Sequence, residues 1–199
     1  MTLCIAALAQ RDDKILLATD GMLSLEYMSF DTTILKAMPL TRKKRFMMAF
    51  SGSPHHAQAI SLRAAALLDG KEETGADVMD TCERAFREEL TRKIEGEILS
   101  PFGYDRPAFL REGRANLGDE EFARLVYELK NTRLETTILV CGFESSGTPR
   151  IFSVSDPGVA TSHEAVMATN PPSTPPMVFS GIFPCLKNRG AFPVRNVPT

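Results

Sequence analysis

The stretch MTLCIAALAQRDDKILLATDG, residues 1–21, decides how the rest of the chain is read. Residues 3–9 and 14–20 are short apolar runs separated by Arg11, Asp12 and Asp13, the pattern of a β-hairpin with buried strands. The first run is too short for a secretory signal, has no basic segment before it and stops at charged residues, so no signal peptide is expected. Thr2 follows the initiator directly and opens the first strand. A small residue there permits removal of Met1 and would leave a hydroxyl and a free α-amine on one residue. With an ordinary pKa of about 7.7–8.0, that amine is poised near neutral pH to act as a base for the hydroxyl.

Moving outward, residues 32–40 form a third apolar, β-branched run. Thr41-Arg42-Lys43-Lys44-Arg45 then turns the chain back into residues 46–51, a second hairpin whose charged tip is expected to be solvated. Gly52-Ser53-Pro54 changes the period. Ser53 suits an N-cap and Pro54 the first helical position. Ile60, Ala64, Leu67 and Leu68 mark the apolar stripe of a helix closed by Gly70. Val78, Cys82, Phe86, Leu90 and Ile94 mark a second helix, broken at Ser100-Pro101-Phe102-Gly103. Phe109 and Leu110 fall in an expected irregular connection, and a shorter helix starts near Asp119 with Phe122, Leu125, Val126 and Leu129 on one face. Residues 136–143 are a buried strand, 150–154 its returning partner, and Asp156-Pro157-Gly158 a turn. Strands, then helices, then strands argue for an α+β architecture.

The whole chain has 199 residues, 43% hydrophobic and 24% charged, which fits one globular domain. A net charge of −2 gives no general attraction to nucleic acid or anionic lipid, and no apolar run is long enough to span a membrane. The four cysteines, Cys4, Cys82, Cys141 and Cys185, show no C-x-x-C spacing, as expected of reduced thiols in a cytoplasmic protein. The last 35 residues hold no Asp or Glu, and seven of the 13 prolines lie between Pro171 and Pro198. The reading is therefore a domain over residues 1–165 and a Pro-rich, irregular tail over 166–199.

Around Thr2 the chemistry gathers further candidates. Asp20 closes the second strand and Lys36 lies 16 positions later. Brought to the Thr2 end, the Lys36 ammonium would favour the neutral α-amine, and Asp20 would keep the lysine charged. Gly52, just before a helix N-terminus, is placed to aim its N–H at a developing oxyanion.

These features together, Met-Thr-Leu-Cys-Ile-Ala-Ala, Leu-Ala-Thr-Asp-Gly, Lys36 and Phe50-Ser51-Gly52-Ser53, resemble a proteasome β-type subunit and, more broadly, the N-terminal-nucleophile hydrolases. Bacterial proteasome-like proteins that begin Met-Thr are the nearest in pattern. The resemblance spans about residues 2–165. It implies a four-layer α-β-β-α sandwich, Thr2 as nucleophile with Asp20 and Lys36 as partners, Gly52 at the oxyanion hole, and no metal or cofactor. It also implies peptide or unfolded-protein substrates and a cytoplasmic ring or open-ring homo-oligomer. The interval from Thr2 to Asp20 is two residues longer than that family's. A gap-free count places Cys4 at the nucleophile position, which requires loss of Met1, Thr2 and Leu3; otherwise Cys4 is a small buried residue. The helices expected after the 136–154 hairpin are missing or replaced, so impaired catalysis, a non-catalytic assembly subunit or an amidase acting on a small molecule stay open. His55 and His56 are adjacent, so their side chains leave a helix about 100° apart and are not expected to share a metal; His163 is the only other histidine.

Overall fold

The structure is a computed structural model that describes residues 3–9, 14–19, 22–25, 28–31, 36–41, 43, 45–70, 73–163, 166–169 and 181–186. Strand β1 (Cys4–Ala9) pairs antiparallel with β2 (Lys14–Thr19), the hairpin expected from the opening residues. A small hairpin of β3 (Met22–Leu25) and β4 (Met28–Asp31) follows, then β5 (Ala37–Pro39) and β6 (Phe46–Gly52). Helices α1 (Pro54–Leu68) and α2 (Gly75–Ile94) come next, and α2 runs through a π-helical turn (Glu95–Leu99) into a 3₁₀ turn (Ser100–Phe102). After α3 (Arg106–Leu117) and α4 (Asp119–Asn131) the chain returns to β7 (Thr136–Phe143), β8 (Pro149–Ser155) and β9 (Val159–His163). Two further strands are β10 (Val166–Thr169) and β11 (Gly181–Leu186).

Two sheets organise these elements. One has five strands in the order β5-β6-β7-β8-β9, the other four in the order β10-β1-β2-β11. The central strands of the five-stranded sheet, β6, β7 and β8, are buried on both faces, and the alternation of their side chains shows how. Phe46, Met48 and Phe50 of β6, Ile138 and Val140 of β7, and Phe152 and Val154 of β8 face α1 and α2, against Ile60, Ala64, Val78, Cys82 and Phe86. The intervening Met47, Ala49, Leu139, Cys141 and Ile151 face the other sheet, against Cys4, Ala6, Ile15 and Leu17. Each buried phenylalanine contributes about 2–3 kcal/mol by leaving water. The stack is therefore helices, sheet, sheet. On β2, Ile15 and Leu17 point into the core, whereas Leu16 between them is 40% exposed on the opposite face.

Helix α2 starts as its sequence requires. The Thr74 hydroxyl accepts the Asp77 N–H at 3.2 Å, and Arg92 and Lys93 sit in its last turn, complementing the helix dipole. Its first residue, Gly75, also donates its N–H to Glu144 Oε1 at 3.0 Å, and Arg150 Nε donates to the same oxygen at 2.8 Å. Arg150 holds the Glu144 carboxyl below the usual carboxylate range; burial opposes this and the Gly75 N–H reinforces it. A depressed carboxylate stabilises the fold above its unfolded value, about 4.3, and that contribution is lost as pH falls through the folded value. Glu144→Gln is therefore expected to lose less stability than the wild type between neutral pH and about pH 3. Denaturant titrations across that range check this; parallel losses would show that Glu144 contributes nothing to acid sensitivity.

Three expectations are corrected. Phe109 and Leu110 lie in α3, not in an irregular connection. Asp105 Oδ1 accepts the Ala108 N–H at 2.7 Å and Pro107 occupies the first turn, so Asp105-Arg106-Pro107 starts a helix soon after the break at Ser100–Gly103. Phe109 is fully buried and stacks on Phe122 of α4 with ring centroids 4.9 Å apart, in a separate small cluster with Leu99 and Leu125. The β3-β4 hairpin falls where no strands were expected. Finally, residues 166–169 and 181–186, inside the segment expected to be irregular, are strands paired with β1 and β2; the remainder of that segment lies outside the described residues.

Candidate active site

The residues that can be placed meet at one end of the two sheets. In the four-stranded sheet Cys4, the first residue of β1, pairs with Thr19, the last of β2. The chain therefore enters β1 and leaves β2 at the same edge, beside Thr169 and Gly181 of the flanking strands. In the facing sheet Phe50 of β6 joins this edge to the start of β5. The Cys4 thiol donates to the Phe50 carbonyl at 3.1 Å, and the Phe50 N–H donates to the Lys36 carbonyl at 3.3 Å. Lys36, directly before β5, is 1% exposed, a rare position for an ammonium. Thr2 and Asp20 lie outside the described residues. Their described neighbours, Leu3 with Cys4 and Thr19, belong to the same edge as Lys36.

Gly52 ends β6 two residues beyond Phe50 and turns the strand into α1. Its φ of +96° lies in the region that favours glycine, and a Cβ there would stand 2.0 Å from the Glu135 carbonyl oxygen. Glu135 itself has φ +54° and is fixed by Asp156, whose two carboxylate oxygens accept the N–H groups of Leu134 and Glu135, each at 2.9 Å. Ser53 occupies the N-cap position of α1, as expected, but its side chain makes no capping hydrogen bond. The helix N–H groups next to Gly52 are thus not taken by that hydroxyl.

Cys4 is completely buried between the sheets, the environment of a packed thiol. Cys82 is likewise core, and burial pushes its thiol up to about 12. The histidine pair departs from expectation. His55 and His56 are in the first turn of α1 with ring centroids 5.5 Å apart, and one ligand atom from each lies within 4.8 Å of the other and of a Glu89 carboxylate oxygen. Their Cα–Cβ bonds diverge around the helix, but the imidazoles reach far enough to converge on Glu89 of α2. Sequence spacing does not show this, because Glu89 is 33 residues from His56.

The fold is that of the proteasome-like N-terminal-nucleophile hydrolases. Among solved structures it is similar to an Anbu (Gly-1) mutant from Hyphomicrobium sp. strain MC1, with a TM-score of 0.55 and 13% identity over 85% of this chain and 61% of that one. It is also similar to the Anbu complex from Pseudomonas aeruginosa, described as a helical assembly, with a TM-score of 0.53 and 15% identity over 84% of this chain and 60% of that one. The chain thus spans about three-fifths of the length of these Anbu chains. At such identity the likeness is one of fold. No protein-family model and no curated protein matches the sequence. Among the described residues no helix is long and apolar enough to cross a membrane.

Proposed function

We propose that the chain is a threonine-type N-terminal-nucleophile hydrolase that cleaves peptide or amide bonds through an acyl-enzyme on Thr2. Loss of Met1 leaves the Thr2 hydroxyl beside its own α-amine. As the hydroxyl oxygen attacks the substrate carbonyl carbon, the amine takes its proton and later returns it to the departing nitrogen. Water, deprotonated by the same amine, then attacks the ester and regenerates the hydroxyl. Lys36 keeps the α-amine neutral by charge repulsion, Asp20 keeps Lys36 protonated, and the Gly52 N–H donates to the oxyanion. The observation that carries this reading is the burial of Lys36 at the edge where β1 begins, linked through Phe50 to Cys4. In this reading the protein is cytoplasmic and forms a homo-oligomer, with peptides or unfolded protein as substrates.

The test is an intact-mass measurement followed by reaction with a β-lactone. Loss of Met1 and a single acyl adduct mapped to Thr2 are expected. Retained Met1 blocks the α-amine and overturns the enzyme reading. It would favour a non-catalytic subunit of a proteasome-like assembly.

A further inference from the structure

The histidine pair that follows Gly52 has no part in the reaction proposed above, yet it is built into the junction of two helices. His55 is exposed, His56 is largely buried, and Glu89 from the facing helix is 1% exposed. A carboxylate so deeply buried is unusual unless paired, and Glu89 is held from two sides. Arg92 donates Nε to Oε2 at 2.8 Å and Nη2 to Oε1 at 2.6 Å, while His56 Nδ1 lies 2.9 Å from Oε1. The carboxylate is therefore oriented toward the imidazoles in the protein as it stands. An arginine behind a carboxylate is the kind of outer support that orients metal ligands.

The donor geometry is close to what an ion needs. Tetrahedral zinc with bonds of about 2.0–2.1 Å places its ligand atoms roughly 3.3 Å apart. The His56–Glu89 pair, hydrogen-bonded at 2.9 Å, must open slightly to that spacing, and the three donors, within 4.8 Å of one another, must close toward it by side-chain rotation. Two imidazoles and one carboxylate select zinc, cobalt or nickel over magnesium or calcium, which prefer oxygen alone. The exposure of His55 leaves an entry path and room for water in a fourth position.

We propose that His55, His56 and Glu89 form a binding site for a divalent transition-metal ion of the zinc class, which ties the first turn of α1 to the C-terminal half of α2. The ion replaces the proton of the His56 Nδ1–Glu89 Oε1 hydrogen bond, which opens to admit it and releases that proton to solvent, and the His55 imidazole closes on it from the exposed side. The Arg92 guanidinium and the positive end of α1 oppose the added charge, so the affinity falls below that of a structural zinc finger.

Cobalt(II) is the probe, added to the full chain near neutral pH. One equivalent is expected to bind with the visible absorption of a four- or five-coordinate ion, to show no thiolate-to-cobalt charge transfer, and to raise the thermal midpoint. His55→Ala changes an exposed side chain and is expected to weaken binding by at least about tenfold while leaving the metal-free midpoint unchanged. Glu89→Gln is expected to weaken binding similarly, and the His55 variant keeps the test decisive if this one does not fold. Thiolate absorption, no saturable binding, or undiminished binding by His55→Ala would each overturn the proposal. None of these outcomes bears on Thr2 acylation.

Discussion

In the proposed reaction, Lys36→Met is expected to lower the hydrolytic rate by up to about tenfold at pH 7, the factor by which an α-amine of ordinary pKa, about 7.7–8.0, is held protonated there, with stability largely retained. Methionine keeps the length and most of the volume of the lysine stem but carries no charge. A buried ammonium returns little net stability after its desolvation, so an apolar replacement of similar shape is tolerated. The loss should fall on the rate of acylation rather than on substrate affinity, because in the proposed reaction Lys36 acts on the amine that takes the proton. Part of that loss should return at higher pH, where the α-amine is deprotonated without help. Rates of β-lactone acylation across pH, beside thermal unfolding of both proteins, check this. An unchanged rate in Lys36→Met with Met1 removed would exclude the lysine from the reaction.

Gly52→Ala is expected to cost about 3–5 kcal/mol, near the upper end for single substitutions. Two causes add. A non-glycine residue at φ +96° carries roughly 1–2 kcal/mol of backbone strain. The new methyl would also stand 2.0 Å from the Glu135 carbonyl oxygen. Neither partner yields easily, since β6 and β7 pair there, Gly52 with Thr136, and Asp156 fixes Glu135 from behind. For a domain of this size the thermal midpoint should fall by roughly 10 °C. Urea unfolding gives the free energy directly; a loss below about 1 kcal/mol would show that the β6–α1 junction moves aside more readily than its geometry implies.

Much of the fold is legible in the sequence because its elements announce themselves locally. The β1-β2 hairpin, β6, α1, α2, α4 and the β7-β8 pair each combine a clear period with a cap or a turn. The elements not anticipated lack one of these. α3 carries its start signal, Asp105 followed by Pro107, inside a stretch whose prolines and glycines resemble a break. β3, β4 and β10 are four residues long, too short for a period, and β11 contains Pro184 amid a composition unlike that of any other strand. The candidate site is a different matter. A buried Lys36 and a glycine-only Gly52 follow from the way the strands pair, and no local pattern encodes that. Their significance in the sequence came from the resemblance and from the chemistry of a terminal threonine. The convergence of His55, His56 and Glu89 depends on the packing of α1 against α2, which no spacing rule reports.

The pairing of β6 with β7 also governs how the molecule forms. These two central strands are separated by 83 residues, 53–135, which comprise the whole helical excursion. Closing so long a loop costs entropy that only the finished sandwich repays, whereas α1 and α2 can meet early through neighbouring segments. Loop-closure entropy therefore favours early contact of α1 with α2 and later pairing of the central strands. Until Thr136–Phe143 arrives, the chain carries an open edge at Phe46–Gly52, and there nascent copies are most apt to aggregate.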